Sequence, residues 1–187
     1  MKKVINFLFI TAICSCVQNI FAQPIQAGEN LNVTNTESGK VRGYTHNGIF
    51  TYKGIPYAQA ERFMAPQKVK PWDGVRSSLV YGPVAPLQDP TTTVQDEGEF
   101  IFHHDWGYTN ENCLVLNVWT PGITPAKKRP VLFWIHGGGF TAGSSQELPS
   151  YDGENLSKKG DVVIVSINHR LNILGFLDLS ADRKSVV

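Results

Sequence analysis

The sequence predicts an α/β fold, and three observations carry that prediction. Val131–Ile135 is a continuous apolar run and residues 162–167 are apolar but for Ser166, neither with polar alternation, the pattern of strands buried on both faces of a parallel sheet. Between them, residues 151–159 have helical character, with Ser150 or Asp152 as a cap and Gly160 as a stop. Strand, helix and strand in that order form a βαβ crossover. Directly after residue 135 come His136 and then Gly137, Gly138 and Gly139, at the carboxyl end of a strand, where open α/β sheets place their ligand sites.

The remaining elements are read from turn chemistry. Asn47-Gly48 separates residues 41–44 from residues 49–52, a hairpin signal because both turn residues tolerate positive φ. A small antiparallel meander is therefore expected over residues 32–57. Residues 58–112 are rich in Pro, Gly and polar side chains, and read as irregular structure that wraps a larger body or forms part of a binding site. Residues 114–119 read as a third buried strand, ended by Pro121-Gly122. Three buried strands and one helix do not cover both faces of a sheet. The expectation is thus an incomplete fold, residues 23–187 being the N-terminal part of a domain, with apolar surface left open to water.

Composition narrows the function classes. The 187 residues are 42% hydrophobic with a formal charge of +1, so neither charge sign points to nucleic acid, and Lys127-Lys128-Arg129 reads as a solvated loop. Residues 1–22 read as a signal peptide: Lys2 and Lys3, an apolar stretch over residues 4–17, and cleavage after Ala22. That stretch falls short of the about 20 residues a membrane span needs. A secreted or periplasmic protein without a membrane span is expected, with lipid attachment at Cys16 as the competing reading.

Cys113 is then the one cysteine of the mature chain, which leaves no intrachain disulfide and favours an inert buried thiol over a nucleophile. His103-His104-Asp105 could suggest a metal, but no third His or Cys stands at zinc spacing. No metal and no cofactor are expected.

The loop His136-Gly137-Gly138-Gly139-Phe140 carries the chemistry. Glycines let a ligand approach backbone amides closely, and the reaction that benefits is one that stabilises an oxyanion with fixed N–H donors. A phosphate cradle would need Gly-Lys-Ser, or G-x-G-x-x-G opening into a helix, and Phe140-Thr141-Ala142-Gly143-Ser144 supplies neither.

Several segments together resemble one family: Gly54-Ile55-Pro56-Tyr57-Ala58, Glu61-Arg62-Phe63, residues 111–121, the glycine loop, Ser166-Ile167-Asn168-His169-Arg170-Leu171 and Leu174-Gly175-Phe176-Leu177. In order and spacing over residues 33–179 they resemble the type-B carboxylesterases, cholinesterase-like α/β-hydrolases. The resemblance implies an incomplete α/β-hydrolase fold and a small-molecule ester as substrate. It implies that the backbone N–H groups of Gly138 and Gly139 donate two oxyanion hydrogen bonds, that Arg62 and Glu111 form a structural ion pair, and that His136 braces the loop. His169 stands where the family usually has Tyr. Cys113 matches a cysteine that is disulfide-bonded in animal cholinesterases, yet no partner precedes it here.

No G-x-S-x-G occurs in the 187 residues, whereas serine esterases of this kind need a nucleophile elbow followed by an acid and a histidine. Gly143-Ser144-Ser145 has Glu147 where the elbow needs its last glycine. The expected function is hydrolysis of carboxylic esters through an acyl-enzyme, with this chain supplying the oxyanion loop and no nucleophile. The alternatives are a non-catalytic, adhesion-like relative and a defunct truncated product.

Overall fold

A computed structural model describes residues 23–86, 104–105, 107–124 and 127–178. The expected signal peptide, Cys16 and His103 lie outside the described residues.

Among the described residues eight strands form two sheets: β1 Val33–Asn35, β2 Lys40–Arg42, β3 Tyr44–His46, β4 Ile49–Pro56, β5 Val75–Ser77, β6 Val115–Thr120, β7 Val131–Ile135 and β8 Val163–Ile167. The smaller sheet has the order β1-β2-β5 and the larger the order β3-β4-β6-β8-β7. A 3-10 turn, Pro149–Tyr151, leads into helix α1, Glu154–Gly160, and helix α2, Asn172–Phe176, follows β8.

Asn47 (φ 49°) and Gly48 (φ 80°) make the two-residue hairpin turn that joins β3 to β4, as the dipeptide requires. The expected single meander is instead divided between two sheets. Val41 pairs with Thr34 of β1 and with Arg76 of β5, whereas Tyr44 pairs with Thr51. Gly43 lies between the two strands, and its N–H leaves the ladder to donate to the Asn32 carbonyl at 3.1 Å. Strand β5 also lies inside the stretch expected to be irregular. It runs parallel to β2, and three residues of mixed polarity gave no periodic signal.

The crossover forms as expected: β7 and β8 are parallel, in register from Val131 opposite Val163 to Ile135 opposite Ile167. Strand β6 departs from the expected parallel surroundings, because it is antiparallel to both β4 and β8. Strand β7 departs from the expected burial. It lies at one edge of the described sheet, and all five of its residues are 40 to 61% exposed. Apolar runs of this kind register capacity for burial, and a strand with one described neighbour has not used it.

Side-chain alternation divides the core between the two faces of the larger sheet. Tyr52, Ile55, Leu116 and Val118 face the smaller sheet, where Val41 is fully buried. Ile49, Trp119 and Ile164 face the other way, beneath Gly153, where a Cβ would press on Trp119 and Ile164. This close approach moves the helix start from the expected residue 151 to Glu154, whose N–H donates to Asp152 Oδ1 at 2.9 Å. The stop also moves by one residue: Asp161 is the left-handed residue (φ 49°). Its carboxylate is held by Lys127 and by Arg129 Nε, the latter at 2.7 Å.

Trp119 is fully buried at the centre of this arrangement. Trp119→Ala is expected to lower stability by about 3–5 kcal/mol, measured as a shift in the midpoint of urea unfolding.

Candidate active site

Strand β7 ends at Ile135 and the chain turns through five residues that present backbone rather than side chains. His136 is 7% exposed, and its Nδ1 donates to the Gly137 carbonyl at 2.7 Å, which places a proton on that nitrogen. The turn closes on one acceptor, the Gly138 carbonyl, which receives Thr141 N, Ala142 N and Thr141 Oγ1, each at 3.1 Å.

Closing so tightly requires the left-handed side of backbone space at Gly138 (φ 114°) and Gly139 (φ 62°). At Gly138 a Cβ would overlap the Ala142 carbonyl, so no other residue fits. Gly137 differs: φ is ordinary, and nothing lies within 4 Å of a Cβ built there. The N–H groups of Gly138 and Gly139 find no acceptor among the described residues, and both glycines are exposed. Two adjacent donors thus stand free at the carboxyl end of a strand.

Beyond the turn, the chain is pinned to the sheet. Ser145 N donates to Asn168 Oδ1 at 2.8 Å, and Asn117 Nδ2 donates to Ser145 Oγ and Ser166 Oγ at 3.0 and 3.1 Å. Ser144 and Ser145 are buried and engaged in hydrogen bonds. Glu147 is 7% exposed and accepts from Ser144 N at 3.2 Å. Burial raises its carboxyl pKa above the usual value, opposed by His136 and by the hydrogen bond from Ser144.

The other sequence-predicted residues lie apart from the loop. Arg62 donates through Nε to Glu111 Oε1 and Oε2 at 3.0 and 3.1 Å, and through Nη2 to Oε1, a fork geometry that lowers the Glu111 pKa. Cys113 is fully buried against Ala85 and Leu171, and burial pushes its thiol up to about 11, away from the thiolate a nucleophile needs. Asp105 N donates to the Glu147 carbonyl at 2.9 Å. Among the described residues no three His, Cys, Asp or Glu side chains are grouped to hold a metal.

Arg170 is the residue whose part was not read from sequence. It is 8% exposed, and its guanidinium donates to the carbonyls of Glu111 (3.1 Å), Glu61 (2.8 Å) and Ala60 (2.5 Å). It thereby ties the β8 exit to both segments of the Arg62–Glu111 pair. The basic residue was visible in Asn168-His169-Arg170, but its acceptors are main-chain atoms about 60 to 110 residues away, and backbone acceptors leave no mark on composition.

A mixed sheet, a βαβ crossover and a glycine turn at the crossover's carboxyl end define an α/β-hydrolase type of fold. Solved structures agree. An esterase from anaerobic Clostridium hathewayi, described as able to hydrolyze aliphatic aromatic polyesters, superposes with a TM-score of 0.77 at 47% identity, covering 86% of this chain and 31% of that one. A carboxylesterase of Geobacillus stearothermophilus gives 0.66 at 43% identity, covering 78% and 28%.

The sequence profile of the Carboxylesterase family matches residues 30–185, and the chain belongs to that family. It is 38% identical over 153 residues to the para-nitrobenzyl esterase of Bacillus subtilis, covering 80% of this chain and 29% of the relative. It is 36% identical over 178 residues to the acetylcholinesterase of Bungarus fasciatus, covering 91% and 28%. The chain therefore spans under a third of the length of these relatives.

Two substitutions separate the parts of the site. Arg170→Lys, which cannot reach three acceptors with one fork, is expected to cost about 1.5–3 kcal/mol of stability in chemical unfolding. In the native state Cys113 is expected to resist a thiol-specific reagent and to react once denaturant is added; rapid native labelling would contradict the burial.

Proposed function

We propose that the whole protein is a secreted serine esterase that hydrolyses small carboxylic esters through an acyl-enzyme, with Gly138 and Gly139 as oxyanion-hole donors. The observation that carries this reading is the pair of free N–H groups at the end of β7. A substrate carbonyl placed against them gains two hydrogen bonds as its oxygen becomes negative, and more in the tetrahedral intermediate than in the ground state. His136 is a brace of the turn: its Nδ1 donates to the Gly137 carbonyl and its ring stacks on that of His169. The Arg62–Glu111 pair is structural.

The attacking serine, its histidine and the orienting acid would come from parts of the protein other than these 187 residues, which hold no G-x-S-x-G. The same additional chain would cover the exposed apolar residues of β7. The small share of its relatives that this chain spans supports that reading.

The test uses the whole protein and p-nitrophenyl acetate. Turnover that a serine-directed organophosphate abolishes is expected; a folded whole protein without turnover would defeat the proposal. Gly138→Ala is expected to lower kcat by about 10²–10³ with little change in KM, whereas Gly137→Ala, with open space at its Cβ, should stay within a few-fold of the parent. The 187-residue chain alone is expected to show no turnover.

A further inference from the structure

The glycine loop is bracketed by a ladder of four rings. His136 stacks on His169 with centroids 4.6 Å apart and planes 17° from parallel. His169 meets the edge of Phe176 at 6.2 Å and 84°, and Phe176 packs on Phe140 at 4.7 Å. The ladder begins and ends on the loop, at residues 136 and 140, and so encloses the three glycines. Its two inner rungs come from the β8 exit and from α2. Beside it, Asn172 N donates to the Phe140 carbonyl at 2.9 Å.

That two adjacent rungs are imidazoles has a chemical consequence. Neutral rings stack, whereas two imidazolium ions face to face repel. Among the described residues His169 Nδ1 is buried and has no hydrogen-bond partner, so a proton gained there meets no acceptor among them. Glu147 acts electrostatically on His136, is hydrogen-bonded by Tyr151, and is in turn influenced by His104. The Arg170 guanidinium is engaged with the carbonyls of Ala60, Glu61 and Glu111.

We propose that His169 is a positioning residue for the oxyanion loop: its imidazole, stacked on that of His136, holds the turn that presents Gly138 and Gly139, and lets it open when His169 takes up a proton. This rests on the oxyanion reading of the loop.

The direction of the pH dependence follows from His169. Burial, followed by the influence of His136, lowers its pKa from the ordinary 6.5. An opened loop therefore binds a proton at a pH where the closed loop does not. Closure is fully favoured above the ordinary value and is lost as pH falls below it, through the depressed value of the closed state.

The test is hydrogen exchange of residues 137–143 in the whole protein between pH 8 and pH 5, corrected for intrinsic rates. It follows the amides of Thr141 and Ala142, which are bonded to the Gly138 carbonyl. Parent protein should be protected at pH 8 and exchange about tenfold faster or more at pH 5. His169→Phe keeps a ring but takes up no proton, and should stay protected at both. His169→Ala should exchange fast at both, and its kcat at pH 8 should fall about tenfold with KM unchanged.

Unchanged exchange in His169→Ala would overturn the proposal, as would a parent-sized acid response in His169→Phe. If His169→Ala also loosens β6 and β8, His169→Phe decides alone. A parent that shows this exchange pattern without ester turnover would sink the esterase reading and leave the positioning role standing.

Discussion

The arrangement of this chain depends on one buried amide, that of Asn117. Its Nδ2 donates to Ser145 and Ser166, and its Oδ1 accepts from Gly54 N at 3.0 Å. The side chain therefore joins β4, β6, β8 and the segment returning from the glycine loop. Gly54 lies where the β4–β6 register slips between Tyr52 and Ile55, so the amide takes up a donor that the irregular ladder would otherwise orphan. Three hydrogen bonds inside a sheet fix orientation as well as position, because an unpaired polar group there costs more than a paired one contributes. Asn168 extends the network: its amide donates to the Pro83 carbonyl at 2.9 Å, and its own carbonyl accepts from Tyr57 OH, also at 2.9 Å.

From that anchor the site is assembled outward. The parallel pairing of β7 with β8 decides where residue 136 emerges, and the Ser145 contacts decide where the chain comes back. The short arc between them has nowhere to go except a tight turn, which only glycine can make at residue 138. Rings from the β8 exit and from α2 then close over it. Arg170, one residue past His169, carries the same exit to residues 60, 61 and 111. The loop and the ion-paired surface are thus two ends of a single connected brace, although neither side chain of the Arg62–Glu111 pair takes part in the turn.

Much of this was legible in the residues themselves. The crossover, the Asn47-Gly48 hairpin and the glycine turn each depend on local chemistry, and each appears where the sequence places it. Pairing partners were less legible. That β6 is antiparallel on both sides, that residues 40–42 and 44–46 belong to different sheets, and that β5 exists at all depend on segments distant in the chain. The helix start was misplaced because the reason for it, Gly153 lying on Trp119, is a contact between elements. Arg170 was missed for a related reason: its acceptors are carbonyls, which every residue has.

The strand order β6-β8-β7 has a consequence for synthesis. When β7 leaves the ribosome, the place beside β6 belongs to a strand not yet made, since β8 begins only after residue 162. Until those residues emerge, the five apolar residues of β7, followed by His136 and three glycines, lack the strand they pair with among the described residues. The vectorial order of translation thus obliges β7 to wait, and the later strand acts as the bridge that admits the earlier one to the sheet.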